Sequence, residues 1–346
     1  MKEKLPLPTG TATPNRRPAV TVVEIGDPTA VGEAIEVIEQ DAVQLQSKPL
    51  RARRIVVHIG GSILLFQSTN LPIRTRTRLQ SGFVAYVAFG PRAAGTLNGL
   101  SIGPDRVLAA AAGIEVEFVV AAGYESVSFF VPPNAIRAHL RGRHREGELR
   151  LPDGVELLQP DPAAAQALYD WGRHLVNLAA RQPQVFDLPQ TQTAAQIELF
   201  ETLLATLGSA ANVEIAPGDL TRQAHSQIVQ AAEDYALVHT AERLCVTDLC
   251  MAAGVSERTL QYAFKKLMGI TPVAYLTRLR LHRVRQALRA ATHGTTTVTA
   301  EALRRGFWHF GDFARAYKGC FGELPSDTLR RQPDAGAKLG SRDVEV

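Results

Sequence analysis

The chain is sparing with the residues that announce metal sites, disulfides or membrane spans. Three cysteines in 346 residues, Cys245, Cys250 and Cys320, are an odd number without zinc-ligand spacing, so neither a disulfide framework nor a structural zinc is expected. They read as small apolar packing residues in a reducing compartment. No apolar run reaches the length needed to cross a bilayer, and Met1 to Pro18 lacks the apolar core of a secretion signal. A cytoplasmic protein without a membrane partner is therefore expected. The histidines before residue 200, His58, His139, His144 and His174, include no His-x-His pair and have no carboxylate neighbour at metal spacing. No metal and no cofactor are expected. An enzyme with a catalytic barrel is the reading from another class, but no nucleophile–base pair or phosphate loop supports it.

What is present is enough apolar material, 45% of the chain, for two domains and more than one core. Residues 1–18, rich in Pro and Thr, and residues 332–346 read as disordered tails. Asp27-Pro28 has the form of a helix start, with Val31, Ile35 and Ile38 as a short apolar stripe. From Pro49 onward the pattern shortens to runs such as Ile55 to Ile59, Ile73 to Leu79, Phe83 to Phe89 and Ser126 to Val131, broken by glycines. These predict a cupin-like antiparallel β-barrel or sandwich over about 50–132. Within it Arg74, Arg76 and Arg78 share one strand face, since side chains alternate with period two. An inward face would make them candidates for clasping an anionic effector; an outward, solvated face is the favoured reading.

Asp161-Pro162 repeats the cap-plus-proline start. Leu168, Trp171, Leu175 and Leu178, then Leu199, Phe200, Leu203, Leu204 and Leu207, form two helical stripes over about 161–208. This helical hairpin either covers the barrel or pairs with a second chain, and a homodimer through one of its helices is the expectation. Residues 19–208 thus form a sensing and dimerisation domain, 209–219 with Pro217-Gly218 a linker, and 220–331 a second, all-α domain.

That second domain carries a repeat. Val246 to Phe264 and Val298 to Tyr317 share a short helix, a turn glycine (Gly254, Gly306) and a second helix, each closing with Gly-x-x-Pro at Gly269 to Pro272 and Gly322 to Pro325. Each copy has the requirements of a helix-turn-helix: a small residue at the crossing, a turn residue that tolerates left-handed geometry, and apolar anchors. In the first copy Ser256 caps the second helix, and Leu260, Phe264 and Leu267 face the core. Arg258, Thr259, Gln261 and Tyr262 are then left outward as candidate readers of base edges. The outward candidates in the second copy are His309, Asp312 and Arg315. Between the copies Thr271-Pro272 opens a helix whose buried side is Val273, Leu276, Leu279, Val284 and Leu288; Arg280, Arg283 and Arg285 are expected at phosphates. About twenty residues at roughly 1.5 Å each approach one duplex turn, so one chain could address successive major grooves.

Charge agrees in sign. From His225 to Arg331 there are 15 basic and 9 acidic residues, against 23 and 25 elsewhere, so the positive excess sits on the repeat and suits a polyanion. One position conflicts: Glu301 occupies the place held by Leu249 in the first copy. A carboxylate at a core position is costly unless paired or hydrated, so the second unit is expected to be the looser, contributing phosphate contacts more than base readout.

The doubled pattern, with Val255 to Leu260, Gly306 to Gly311 and Gly322 to Pro325, resembles the AraC/XylS family of bacterial transcription regulators over roughly the last 110 residues. The resemblance implies two helix-turn-helix units around a long linking helix, bound to double-stranded DNA and usually activating transcription beside RNA polymerase. It places base contacts at Arg258, Gln261, Tyr262 and Arg315. The chain departs from the family's usual wording at Glu301, where an apolar residue is common, and at Ala300, where an acidic one is. The first domain is similar to the family's effector-sensing domains and names no ligand. The implied protein is a cytoplasmic, nucleoid-associated, ligand-responsive activator of a metabolic operon. A repressor or a ligand-independent DNA-binding protein is the nearer alternative.

Overall fold

In a computed structural model of the chain, the described residues are 18–30, 35–208, 210–213, 216–239, 244–292 and 294–331. Expectations for residues 1–17, Val31 and 332–346 lie outside them. Among the described residues, the first domain is built on thirteen antiparallel-paired strands in two sheets. Eight of them form one sheet in the order β1 (Val20–Ile25), β3 (Ala52–Ile59), β4 (Ser62–Thr69), β11 (Glu125–Val131), β6 (Val84–Phe89), β9 (Val107–Ala110), β12 (Val155–Gln159) and β13 (Ala211–Asn212). The other sheet runs β2 (Ile38–Gln44), β5 (Ile73–Leu79), β10 (Glu115–Val120), β7 (Gly95–Leu97) and β8 (Leu100–Ile102). The β3–β4 hairpin turns on Gly60-Gly61, Gly60 having a φ of 59°, the left-handed conformation a two-residue hairpin loop requires.

Period-two alternation divides each sheet's side chains between two layers. In the eight-stranded sheet Ile55, Val57, Leu64, Phe66, Val127 and Phe129 face the helices α2 (Pro162–Arg181) and α3 (Pro189–Leu207), meeting Leu168, Leu175, Leu199 and Leu203. Val56, Leu65, Val87 and Phe130 face the opposite way, toward Ile73, Leu79 and Val116 of the five-stranded sheet. The outer face of that second sheet meets the helical domain, where Val43 and Leu45 join one core with Val229, Leu260, Phe264 and Tyr275. The order is helical hairpin, sheet, sheet, helical domain. A short helix α1 (Pro133–Arg141) follows β11.

Three expectations change. Of the two expected forms the open two-sheet one is found and not the closed barrel, and the strands are not confined to 50–132: β1 and β2 precede residue 50, and β12 and β13 follow α1. Among the described residues Asp27-Pro28 opens a 3-10 turn, Pro28–Ala30, with Asp27 Oδ1 accepting from Thr29; Ile35 and Ile38 go to the inter-sheet core. The stretch 209–219 is less a linker than expected, since β13 extends the large sheet and α4 (Pro217–Val238) begins inside it. The stripes of α2 and α3 are spent on the sheet, as Leu168, Leu199 and Leu203 are fully buried.

Candidate nucleic-acid interface

The helical domain continues from α4 with α5 (Val246–Ala253), α6 (Glu257–Met268), α7 (Pro272–Ala290), α8 (Val298–Arg304), α9 (Phe310–Phe321) and α10 (Pro325–Arg330). In the first unit, Asp248 Oδ2 accepts from the Cys245 N–H at 2.7 Å at the start of α5. Gly254 takes φ 64° after its last turn. A Cβ there would meet nothing within 4 Å, so the demand for glycine comes from the backbone conformation and not from crowding. Ser256 Oγ accepts from Thr259 N–H at 3.2 Å and starts α6. Leu260, Ala263 and Phe264 are buried, with Phe264 edge-on to Tyr275 at 5.6 Å between centroids.

This anchoring fixes which face of α6 is outward. Arg258, Thr259, Gln261 and Tyr262 are all exposed. Arg258 has no hydrogen bond or ion pair to a described residue, and Gln261 Nε2 donates to Glu257 at 2.8 Å. The Thr259 hydroxyl shares a 2.9 Å bond with Ser256, so it is partly engaged in the cap. Tyr262 is 52% exposed and packs edge-on to His225 of α4 at 5.3 Å. Arg258 and Gln261 therefore present fork-shaped polar groups suited to guanine and adenine edges, beside an aromatic ring.

The second unit repeats the frame. Thr297 Oγ1 accepts from Ala300 N–H at 3.1 Å, Gly306 takes φ 77°, and Ala302, Phe313 and Tyr317 are buried. Glu301 is 4% exposed, yet its Oε1 accepts from Arg304 Nη1 and Thr296 Oγ1, each at 2.7 Å. The buried carboxylate is thus paired, which removes the reason for expecting a loose second unit. His309, Asp312 and Arg315 are exposed around the start of α9, and Arg315 Nη1 donates to Asp312 at 3.0 Å. Trp308 and Phe310 beside them are 61% and 43% exposed. The sequence reading left them without a role; two aromatics flanking a turn and claimed by no core position were the available signal.

The joining helix corrects one phosphate assignment, that of Arg285. Arg285 is 4% exposed, and gives Nε to Asp27 at 2.6 Å and Nη1 to Glu323 at 2.9 Å, Thr328 at 3.2 Å and Tyr317 at 3.3 Å. It lies on the same stripe as Leu281, Val284 and Leu288, at helical spacing, so it turns inward and cannot meet a phosphate in this arrangement. Arg283 reaches Asp41 at 3.3 Å, and Arg280 donates to the Leu244 carbonyl at 3.2 Å; both are half-buried. Val273, assigned to the buried side, is 58% exposed.

Arg74, Arg76 and Arg78 do share one face of β5, but that face neither lines the sheet interior nor stands wholly in solvent. Arg74 is 1% exposed beneath α4, with Nε 3.0 Å from both Glu233 oxygens and Nη2 2.9 Å from Glu117. Burial opposes its charge, yet Glu233 and then Glu117 hold the guanidinium above its ordinary range, while burial pushes the Glu117 carboxyl up. Arg76 bonds Glu115 at 2.6 Å and also meets Asp234 of α4; Arg78, the most exposed, reaches Glu115 at 3.3 Å. Arg74 and Arg76 form a clasp between the sheet and the helical domain, whereas Arg78 pairs within the sheet.

Two helix-turn-helix units thus leave polar side chains exposed on α6 and around the start of α9. A family model for a helix-turn-helix domain matches residues 249–331. A probable thc operon regulatory protein of Rhodococcus erythropolis is 40% identical over 106 residues, 31% of this chain and 32% of the relative. A XylDLEGF operon transcriptional activator of Pseudomonas putida is 34% identical over 132 residues, 38% of this chain and 78% of the relative. The solved structure of a probable AraC family regulator from Rhodopseudomonas palustris is 36% identical, covering 30% of this chain and 94% of that one, with a TM-score of 0.28. The match spans about a third of the length of the Rhodococcus relative. The chain belongs to the AraC/XylS family of helix-turn-helix transcription regulators.

Proposed function

We propose that the protein is a ligand-responsive activator of an operon, acting as a homodimer on double-stranded DNA in the cytoplasm and engaging RNA polymerase. The observation that carries the reading is the outward face of α6, where Arg258 and Gln261 project from a helix pinned by Leu260 and Phe264 behind a left-handed glycine. The α9 face, with His309, Asp312 and Arg315, takes the neighbouring major groove. The 19 residues of α7, at roughly 1.5 Å each, span about 28 Å, near the repeat of one duplex turn.

The way the domains meet supports the responsive reading. The five-stranded sheet carries the clasp to α4 on one side, and its other side faces the space between the sheets. A change of strand position on the inner side therefore reaches Arg74 and Glu233 directly. The test is selection of fragments from genomic DNA by the purified protein, followed by transcription of the selected promoters with RNA polymerase. Enrichment of a defined sequence and increased transcript support the proposal. Enrichment with decreased transcript would make the protein a repressor, and absence of enrichment would remove the regulatory reading.

A further inference from the structure

The two helix-turn-helix units share a frame but carry different side chains on it. Their second helices, α6 and α9, are both 12 residues long and run from a cap residue, Ser256 or His309, to a left-handed glycine, Gly269 or Gly322. They align residue for residue, with buried Leu260 and Phe264 falling on buried Phe313 and Tyr317. On that alignment Gly311 stands where α6 has Arg258, and Ala314 where it has Gln261. The second unit thus lacks both fork-shaped side chains of the first. The polar groups it keeps on this face, Asp312 and Arg315, bond each other at 3.0 Å.

Aromatic surface takes their place. The turn before α9 is one residue longer than the turn before α6, and the added residue is Trp308. Phe307 packs on Phe313 at 4.9 Å between centroids and ties the turn to the core, which leaves Trp308 outward and 61% exposed. Phe310 opens α9 at the spacing of Phe313 and Tyr317 but lies past the end of the core, so it too is exposed. Neither ring stacks on another aromatic among the described residues. The large aromatics left exposed among those residues are Tyr262, Trp308 and Phe310, and all of them lie on or beside the two second helices. A Cβ at Gly311 would meet nothing within 4 Å, so a base edge can approach the backbone there.

The first residues of such a helix are the ones that reach base edges. Two aromatic rings there call for an apolar group on the partner, and in the major groove that group is the C5-methyl of thymine. Charge favours DNA over a protein face, since from Val298 to Phe321 four basic residues stand against two acidic ones. We propose that the second unit reads thymine by its C5-methyl, packed against Trp308 and Phe310 beside the bare backbone of Gly311, whereas the first unit reads by hydrogen bonds. The inference rests on the DNA-binding reading above and adds the base that α9 selects.

Exchange of thymine for uracil removes this methyl and leaves the hydrogen-bonding groups of the base pair in place. A site is selected from random DNA with the full chain, and each thymine on either strand is then replaced in turn by deoxyuridine. At one or more positions binding should weaken about three- to fivefold, the factor for one buried methyl-sized group. That difference should vanish in Trp308→Ala or Phe310→Ala, persist in Arg258→Ala and be partly kept in Trp308→Phe. The salt dependence of binding should be the same for Trp308→Ala as for the native chain, because a methyl contact releases no counterions. The uracil series on the native chain needs no variant, so it decides even if a substitution misfolds. Equal binding of thymine and uracil at every position, or a difference that persists in both Trp308→Ala and Phe310→Ala, would overturn the inference. So would unchanged DNA affinity of Trp308→Ala with lost transcription, which would make the aromatic pair a docking surface for a protein. Enrichment of a sequence without a methyl effect removes only the thymine contact, whereas no enrichment removes the DNA-binding reading and this inference with it.

Discussion

Replacing Glu233 with Gln probes the clasp that joins the two domains. At 3.0 Å and an effective dielectric constant of about 20, the Arg74–Glu233 attraction is about 5–6 kcal/mol before desolvation. The variant leaves Arg74 with Glu117 alone at 2.9 Å, and leaves the Tyr275 hydroxyl, which donates to Glu233, with a poorer acceptor. Because Glu117 remains and Gln still accepts hydrogen bonds, the expected loss is about 3 kcal/mol, the low end for breaking a buried pair. Denaturant titration of the full chain reads it. Asp234→Asn serves as the control: this carboxylate meets Arg76 but its side chain is 51% exposed, so its loss should stay under about 1 kcal/mol. Replacing Arg74 with Met, Glu233 with Leu and Glu117 with Leu together should recover much of the deficit, since no member of the buried triad is then left as a stranded charge. A Glu233→Gln loss no larger than that of Asp234→Asn would refute the buried-clasp reasoning.

Other consequences are independent of the clasp. His282 is 3% exposed, near Asp27, Arg278, Arg283 and Arg285, and burial lowers its pKa to about 3. Between pH 6.5 and about 3 the unfolded chain binds this proton and the folded chain does not, so stability falls as pH falls, by about 2 kcal/mol from pH 6.5 to 5. His282→Leu should flatten that part of a stability–pH curve, and an unchanged slope would contradict the assignment. Phe264→Ala empties a fully buried ring site beneath α6 and should cost about 3–5 kcal/mol in thermal or denaturant unfolding; a loss under about 1 kcal/mol would mean that α6 is not pinned there. Arg315→Ala should disturb sequence preference, measured by selection from random DNA, less than Arg258→Ala, because Arg315 already shares its charge with Asp312.

The repeat was legible because helix-turn-helix geometry makes local demands. Gly254 and Gly306 need left-handed backbone, Ser256 and Thr271 cap the helices that follow them, and the apolar spacing of Leu260 and Phe264 names the buried face. What escaped depends on contacts between residues far apart in the chain. Arg285 reads as one more surface arginine until Asp27, more than 250 residues earlier, is seen beside it. Arg74 reads as solvated until α4 covers it with Glu233. Glu301 reads as a defect until Thr296 and Arg304 are found to bind it.

The central claim, that α6 reads bases, is tested most directly by the affinity of Arg258→Ala for a selected DNA sequence and for random DNA, measured at one salt concentration. A lost base contact predicts a loss of about 1–3 kcal/mol on the selected sequence and little change on random DNA. Equal losses on both would mean that Arg258 meets only the phosphate backbone, and would contradict the account.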